Sequence, residues 1–247
     1  MQGKRAGLVE TDLNASTKKW NKRREQAGLP PVALNEAYGD ISAKIMKMAD
    51  VADVLIIDTA GHDSTEFRTA LKVANIVIVP IDPLAQVEAD SLQTVTKVVR
   101  EAQKINPKLA AHVLLYKCQP NTFSERKELR DSLNSHDYWL KPMKSKVSFL
   151  RAFVRAMNQG MGVHELKGNV SGAGRAMAQI ELLLRGQFGY RKLLYYKGFP
   201  GMSTPVFTVS VCSSVKIKGR DCGTINGHDE SSSIRTLMKD AREVLVR

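Results

Sequence analysis

Two short apolar runs dominate the hydrophobic pattern of the chain: Asp53-Val-Leu-Ile-Ile-Asp58-Thr59-Ala-Gly61 and Ala74-Asn-Ile-Val-Ile-Val-Pro80-Ile-Asp82. Each holds four or five apolar, β-branched-rich residues, too few for a buried helix and without the alternation of a half-solvated strand. Each therefore predicts a central parallel strand buried on both faces. Residues 5–9 and 109–116 read as further strands of the sheet. Between these runs the apolar spacing turns helical: Ile41, Ile45, Met48 and Ala49 in residues 40–49, a short helix over 64–73, Val87, Leu92, Val95, Val98 and Val99 in 86–104, and another helix over 124–133. Strands alternating with helices predict an α/β fold, an open and mostly parallel sheet with helices on both faces.

The strand ends carry the candidate chemistry. In such a sheet ligands sit at the carboxyl edge. Asp58, at that edge, is placed to hold a water on Mg²⁺, and Gly61 lets backbone N–H groups approach a terminal phosphate. The alternative is that Asp58 caps the next helix. The first strand likewise ends in carboxylates and turn residues, Glu10-Thr-Asp12-Leu-Asn14-Ala-Ser16. The charged run Lys18, Lys19, Lys22, Arg23 and Arg24, closed by Gly28-Leu-Pro30-Pro31, reads first as a solvated helix face and second as an anion-binding one.

Charge changes the picture more than composition does. A hydrophobic content of 43% excludes wholesale disorder, whereas a formal net charge of +12 points to a polyanionic partner, either nucleic acid or an acidic membrane surface. No apolar run approaches the length of a bilayer span, and the first residues lack a signal-peptide core, so a cytoplasmic location is expected. Cys118, Cys212 and Cys222 are odd in number and widely spaced, which fits reduced structural cysteines rather than a disulfide or zinc framework. The scattered histidines suggest no metal site.

The run ending in Asp58-Thr59 and a Gly-containing turn resembles the Walker B segment of the ParA/MinD group of P-loop ATPases. The segment Glu10-x-Asp12-Leu13-Asn14-Ala15-Ser16, with Lys19-Trp20 a few residues on, is similar to that family's Asp-x-Asp-Pro-Gln-Gly-Ser and following Lys-Trp pair. The resemblance, which is to plasmid partition proteins of the ParA type above all, spans about residues 3–187. It implies ATP and Mg²⁺ as cofactors, with Asp12 and Asp58 catalytic and Asp58 at the metal. Asp12 would orient the attacking water, unless it only caps the turn. Asp12, Asp58, Thr59, Gly61, Tyr116, Gln119 and Pro120 would contact the nucleotide, Tyr116 either stacking on the base or lying in the core. Pro80 and Pro83 would lie over the nucleotide and at a dimer face, or simply stiffen a turn. The late segment, from Lys141-Pro-Met-Lys144-Ser-Lys146 through the helix of Arg151 and Arg155 to a short strand at Gly160-Met-Gly162-Val-His-Glu165, is similar to the family's ending, with residues 173–184 as its last helix. Lys141, Lys144, Lys146, Arg151 and Arg155 are the candidate DNA contacts or, equally, a solvated face.

The resemblance has a gap. No G-x-x-x-x-G-K-[ST] loop occurs, and Gly3-Lys4-Arg5 matches the entry to the family's second strand, so the chain reads as starting one strand and one helix late. Either that start lies upstream or independent ATP chemistry has been lost. The expectations are weak ATP binding and an unpaired edge in mid-sheet.

The function implied is replicon partition at cell division: a nucleoid-associated homodimer formed on ATP, binding DNA nonspecifically, with a ParB-like centromere-binding partner and no stable membrane insertion. The alternatives are a MinD-like positioning ATPase, whose interfacial helix would be the stripe over 234–246, and a non-catalytic adaptor that keeps the fold. Residues 1–187 form the nucleotide-binding domain in this reading. Residues 188–247, with a Val206-Phe-Thr-Val-Ser-Val-Cys212 alternation and a Gly219/Gly223/Gly227 stretch, form an extension, either a small add-on or partly disordered.

Overall fold

The computed structural model describes residues 5–60, 63–188 and 206–211. Among the described residues, seven strands make one sheet: β1 (Ala6–Glu10), β2 (Ala33–Glu36), β3 (Val54–Ala60), β4 (Ile76–Ile81), β5 (Ala110–Cys118), β6 (Lys141–Ser148) and β7 (Val206–Val211), in the order β2-β1-β3-β7-β4-β5-β6. Every neighbouring pair is parallel. The described residues also form the α-helices α1 (Ser16–Gln26), α2 (Ser42–Ala49), α3 (Thr65–Val73), α4 (Gln86–Ile105), α5 (Phe123–Asn134), α6 (Arg151–Asn158) and α7 (Ala173–Phe188).

Strand periodicity shows why helices cover both faces. On β4, Val77, Val79 and Ile81 join a core with Leu55 and Ile57 of β3, Ile45 of α2, Phe67 and Leu71 of α3, and Leu92, Val95 and Val99 of α4. The intervening Ile76 and Ile78 pack the other way, with Leu114, Met143 and Leu183 and Leu184 of α7. Both sets are apolar because both sides are dry, which is why these strands read as unbroken hydrophobic runs. Removing each large side chain from water contributes about 1.5–3 kcal/mol.

Several elements differ from the expectations. β2 follows the Pro30-Pro31 breaker and lies at the sheet edge with alternate residues exposed, a pattern too short and polar to signal a strand. Residues 163–165 form a 3₁₀ turn (Val163–Glu165) rather than a strand. Lys141, Lys144 and Lys146 belong to edge strand β6 rather than to the approach to a helix. Arg24 is 8% exposed and therefore not part of a solvated face. Its guanidinium grips Glu165 with two bonds of 2.6 and 2.7 Å, a partner 141 residues away.

The middle of the sheet is not an open edge. β7 occupies it, pairing with β3 from Leu55↔Val206 to Ala60↔Val211 and with β4 from Ile76↔Phe207 to Ile78↔Val209. Residues 206–211 of that alternation, set apart from the resemblance in sequence, thus supply a central strand, while Cys212 lies outside the described residues. The stripe over 234–246 and the Gly219/Gly223/Gly227 stretch lie outside the described residues.

Candidate functional site

The chain runs from β1 to its outer neighbour β2 in one direction, and from β3 through β4 and β5 to β6 in the other. Right-handed crossovers then send α1 and α3 to opposite faces, which leaves a crevice beyond the carboxyl ends of β1 and β3. The candidate acidic residues meet there. Glu10 is in register with Asp58 on the adjacent strand, and Thr11 N bonds Asp58 O at 3.0 Å.

Each carboxylate has a distinct setting. Glu10 is fully buried, and its Oε2 accepts from Thr17 N at 2.8 Å and Lys18 N at 3.1 Å, so it neutralises the positive N-terminus of α1. Its Oε1 is buried with no hydrogen-bond partner among the described residues. Burial pushes the Glu10 carboxyl above its ordinary range, with the charge of Asp58 adding to the rise and the two helix N–H groups opposing it.

Asp58 is half-buried, and its Oδ2 accepts from Thr17 Oγ1 at 2.6 Å. Desolvation raises its pKa, and the nearby charge of Asp12 raises it further against the Thr17 bond. Asp58 does not cap the next helix, because α3 is capped by Ser64, whose Oγ accepts from Phe67 N at 3.1 Å.

Asp12 lies in the turn beyond β1. Its Oδ1 accepts from Asn14 N at 2.9 Å and its carbonyl from Ala15 N at 2.9 Å. The turn-holding role is therefore present, and the side chain is close enough to act on Asp58. Ala15 adopts left-handed φ 50° and ψ 44°, a conformation glycine takes without strain and alanine does not. That is the physical reason a glycine suits this position of the turn.

The remaining candidates fall in two places. Thr59 is buried beside Asp58 in β3, and Gly61 lies outside the described residues. Tyr116, Gln119 and Pro120 stand at the carboxyl end of β5, three strands from β3 and about 14 Å away by strand spacing. Tyr116 is half-buried, its hydroxyl bonding Glu88 Oε1 at 3.2 Å, while the carbonyl of Gln119 holds Arg126 Nη1 at 2.7 Å at the start of α5. Pro120 is exposed.

The apolar spacing of α4 gave no signal for Glu88. Its Oε2 also accepts from Asp82 N at 2.7 Å, which ties the ends of β4 and β5 together. Thr17 was also missed. Its signal was weak: a hydroxyl at the start of a helix that follows a carboxylate-tipped strand.

The basic set is dispersed. Lys144, Lys146, Arg151 and Arg155 are exposed, but Lys141 is engaged by Asp137 at 3.0 Å and by the carbonyl of His136 at 3.2 Å. Among the described residues no cluster of three or more His, Cys, Asp or Glu could hold a metal ion, and no helix is long and apolar enough to cross a membrane. Asp58 with Thr17 fits an ion held chiefly by ligand oxygens and water, with one carboxylate from the protein.

No protein-family model matches the sequence, and no curated protein matches it at a significant level. Among solved structures, a plasmid partition protein from Borrelia burgdorferi is similar at 15% identity and a TM-score of 0.45, over 75% of this chain and 87% of that one. A likeness of this degree carries no inference about function.

Proposed function

We propose that the chain is a nucleotide-dependent DNA-partition protein of the ParA type, whose nucleotide lies along the carboxyl edge from Asp58 toward Tyr116. The observation that carries this reading is the convergence of Glu10, Asp12, Thr17 and Asp58 at the crevice between β1 and β3, where an open parallel sheet receives ligands.

In this reading ATP and Mg²⁺ bind the free chain and favour a homodimer. Mg²⁺ would supply charge neutralisation at the phosphates; Asp58 is the residue that would help hold it, and Asp12 the one that would orient the attacking water. Thr17 fixes the Asp58 rotamer through its hydroxyl. The dimer binds duplex DNA nonspecifically through surface cations, with Lys144, Lys146, Arg151 and Arg155 as the available side chains. A centromere-bound, ParB-like partner then triggers hydrolysis and release.

The test is duplex binding by the full chain, followed by fluorescence anisotropy across a salt series with and without Mg-ATP. Affinity is expected to fall steeply with salt, to rise with Mg-ATP, and to drop several-fold in Lys144→Ala/Lys146→Ala. Binding that ignores both salt and nucleotide overturns the reading.

A further inference from the structure

The carboxyl ends of β5 and β6 form a second surface, at the other side of the sheet from β1. Ser148 of β6 is level with Cys118 of β5, and Phe149 N donates to Cys118 O at 3.0 Å. From Cys118 the chain turns through residues 119–122, where Thr122 Oγ1 donates to the carbonyl of Gln119 at 2.9 Å, and Phe123 opens α5. Two phenylalanines are thereby anchored on one turn. Both face solvent, Phe123 at 70% and Phe149 at 56% exposure, so neither ring serves the core. Two such rings on one turn exceed the scattered apolar exposure that is usual for a surface.

The groups around the rings are positive. Arg126, within the first turn of α5, is buried. Its Nη1 donates to the carbonyl of Gln119 at 2.7 Å and to Thr122 Oγ1 at 3.1 Å, and its guanidinium lies 5.9 Å from the centre of the Phe123 ring. Among the described residues no carboxylate pairs with it. A buried cation without a counter-charge is costly unless it meets an anion. Arg130, four residues on and so on the same helix face, reaches β6 through a 3.2 Å bond from Nη2 to the carbonyl of Lys144. The charges of Arg126, Arg130 and Lys146 all act on the Cys118 thiol, against the one carboxylate of Asp82. These cations therefore converge on the turn that carries both rings.

Cations alone fit any polyanion, and the rings narrow the choice. In a duplex the base faces are stacked on one another, so exposed phenylalanines gain nothing from them. An acidic peptide offers carboxylates but no flat face at each step. Unpaired bases joined by phosphates offer a π-face to each ring and an anion to each cation.

We infer that the Phe123 and Phe149 surface at the carboxyl ends of β5 and β6 binds single-stranded nucleic acid, its bases stacking on the two rings and its phosphates meeting Arg126, Arg130 and Lys146. This goes beyond the partition reading, since it requires neither a nucleotide nor a second copy of the chain. Lys146 is common to this surface and to the duplex-contacting set; the rings belong to this surface alone.

Fluorescence anisotropy without nucleotide tests this on labelled oligo-dT, oligo-rU and a duplex of matched length. The full chain is expected to bind the single strands. Phe123→Ala/Phe149→Ala is expected to bind them tenfold or more weakly, with duplex affinity changed less than twofold. Phe123→Trp/Phe149→Trp is expected to recover single-strand binding, with oligo-dT quenching its tryptophan emission beyond that of the unmodified chain. A preference for oligo-dT or for oligo-rU supports the inference equally and identifies the sugar. No single-strand binding by the full chain, equal affinity in the alanine variant, or a loss as large on duplex as on single strands overturns it. None of these results touches the Mg-ATP dependence of duplex binding, on which the partition reading is tested. Should the alanine variant fail to fold, the tryptophan variant decides: quenching supports the inference and unchanged emission overturns it.

Discussion

Thr17 Oγ1 donates a 2.6 Å hydrogen bond to Asp58 Oδ2, joining the first turn of α1 to the tip of β3 across 41 residues of sequence. The bond favours the ionised carboxylate against burial and the charge of Asp12, and it sets the direction in which Asp58 points. Thr17→Val keeps the shape and removes the donor. Stability at pH 7 is expected to fall by about 1.5–3 kcal/mol, the usual worth of a hydrogen bond to a charged group, read from urea denaturation.

Glu10 gives a pH signature. Its carboxyl is raised in the folded protein, so the folded state holds its proton more tightly than the unfolded one. Stability from this group is therefore complete below the ordinary value of 4.5 and is lost as pH rises through the raised value. Glu10→Gln does not titrate. Its stability relative to the unmodified chain is expected to improve with pH across that window and then level off, as measured by denaturation at successive pH values. A difference that is flat with pH contradicts the account of Glu10.

Glu165 has the opposite sign. The Arg24 guanidinium, bonded to both of its oxygens, holds its carboxyl down at about 2. The stability it contributes is full above about 4.5 and is lost as pH falls toward 2. Glu165→Gln leaves Arg24 buried without its counter-charge, and a loss of about 3 kcal/mol at neutral pH is expected. Gly160 backs the same junction: a Cβ there would come within 2.2 Å of Arg24 N, and its φ is +67°. Gly160→Ala is accordingly expected to lose more stability than Glu165→Gln in the same assay.

Ala15 offers a gain. It holds a left-handed conformation in the turn that carries Asp12. Ala15→Gly removes the steric cost and gives back some unfolded-state entropy, for a net gain of about 0.5–1 kcal/mol. Thermal unfolding, with its midpoint raised by a few degrees, is the measurement.

The sheet was largely legible in the sequence because β3 and β4 are dry on both sides and open with unbroken apolar runs. β2 was hidden because an edge strand of four residues, Ala33-Leu-Asn-Glu36, needs no such run. β7 showed its alternation but not its place, since nothing local tells residues 206–211 that their partners lie some 130 to 150 positions earlier. At the site, strand-end carboxylates pointed to Asp12 and Asp58, whereas Glu88 looked like one more polar residue on an amphipathic helix. Its burial follows from the tertiary meeting of α4 with the ends of β4 and β5. Arg24 was misjudged for the same reason, its neutralising partner being far along the chain. The expectation of weak ATP binding rested on the absent loop motif, and the open mid-sheet edge was a separate expectation that β7 overturns.

The most direct test of the nucleotide site is equilibrium binding of Mg-ATP to the full chain and to Asp58→Asn by titration calorimetry. The account predicts saturable binding by the full chain and at least a tenfold loss in the variant. Equal affinity in the two proteins, or none in the full chain, would contradict it.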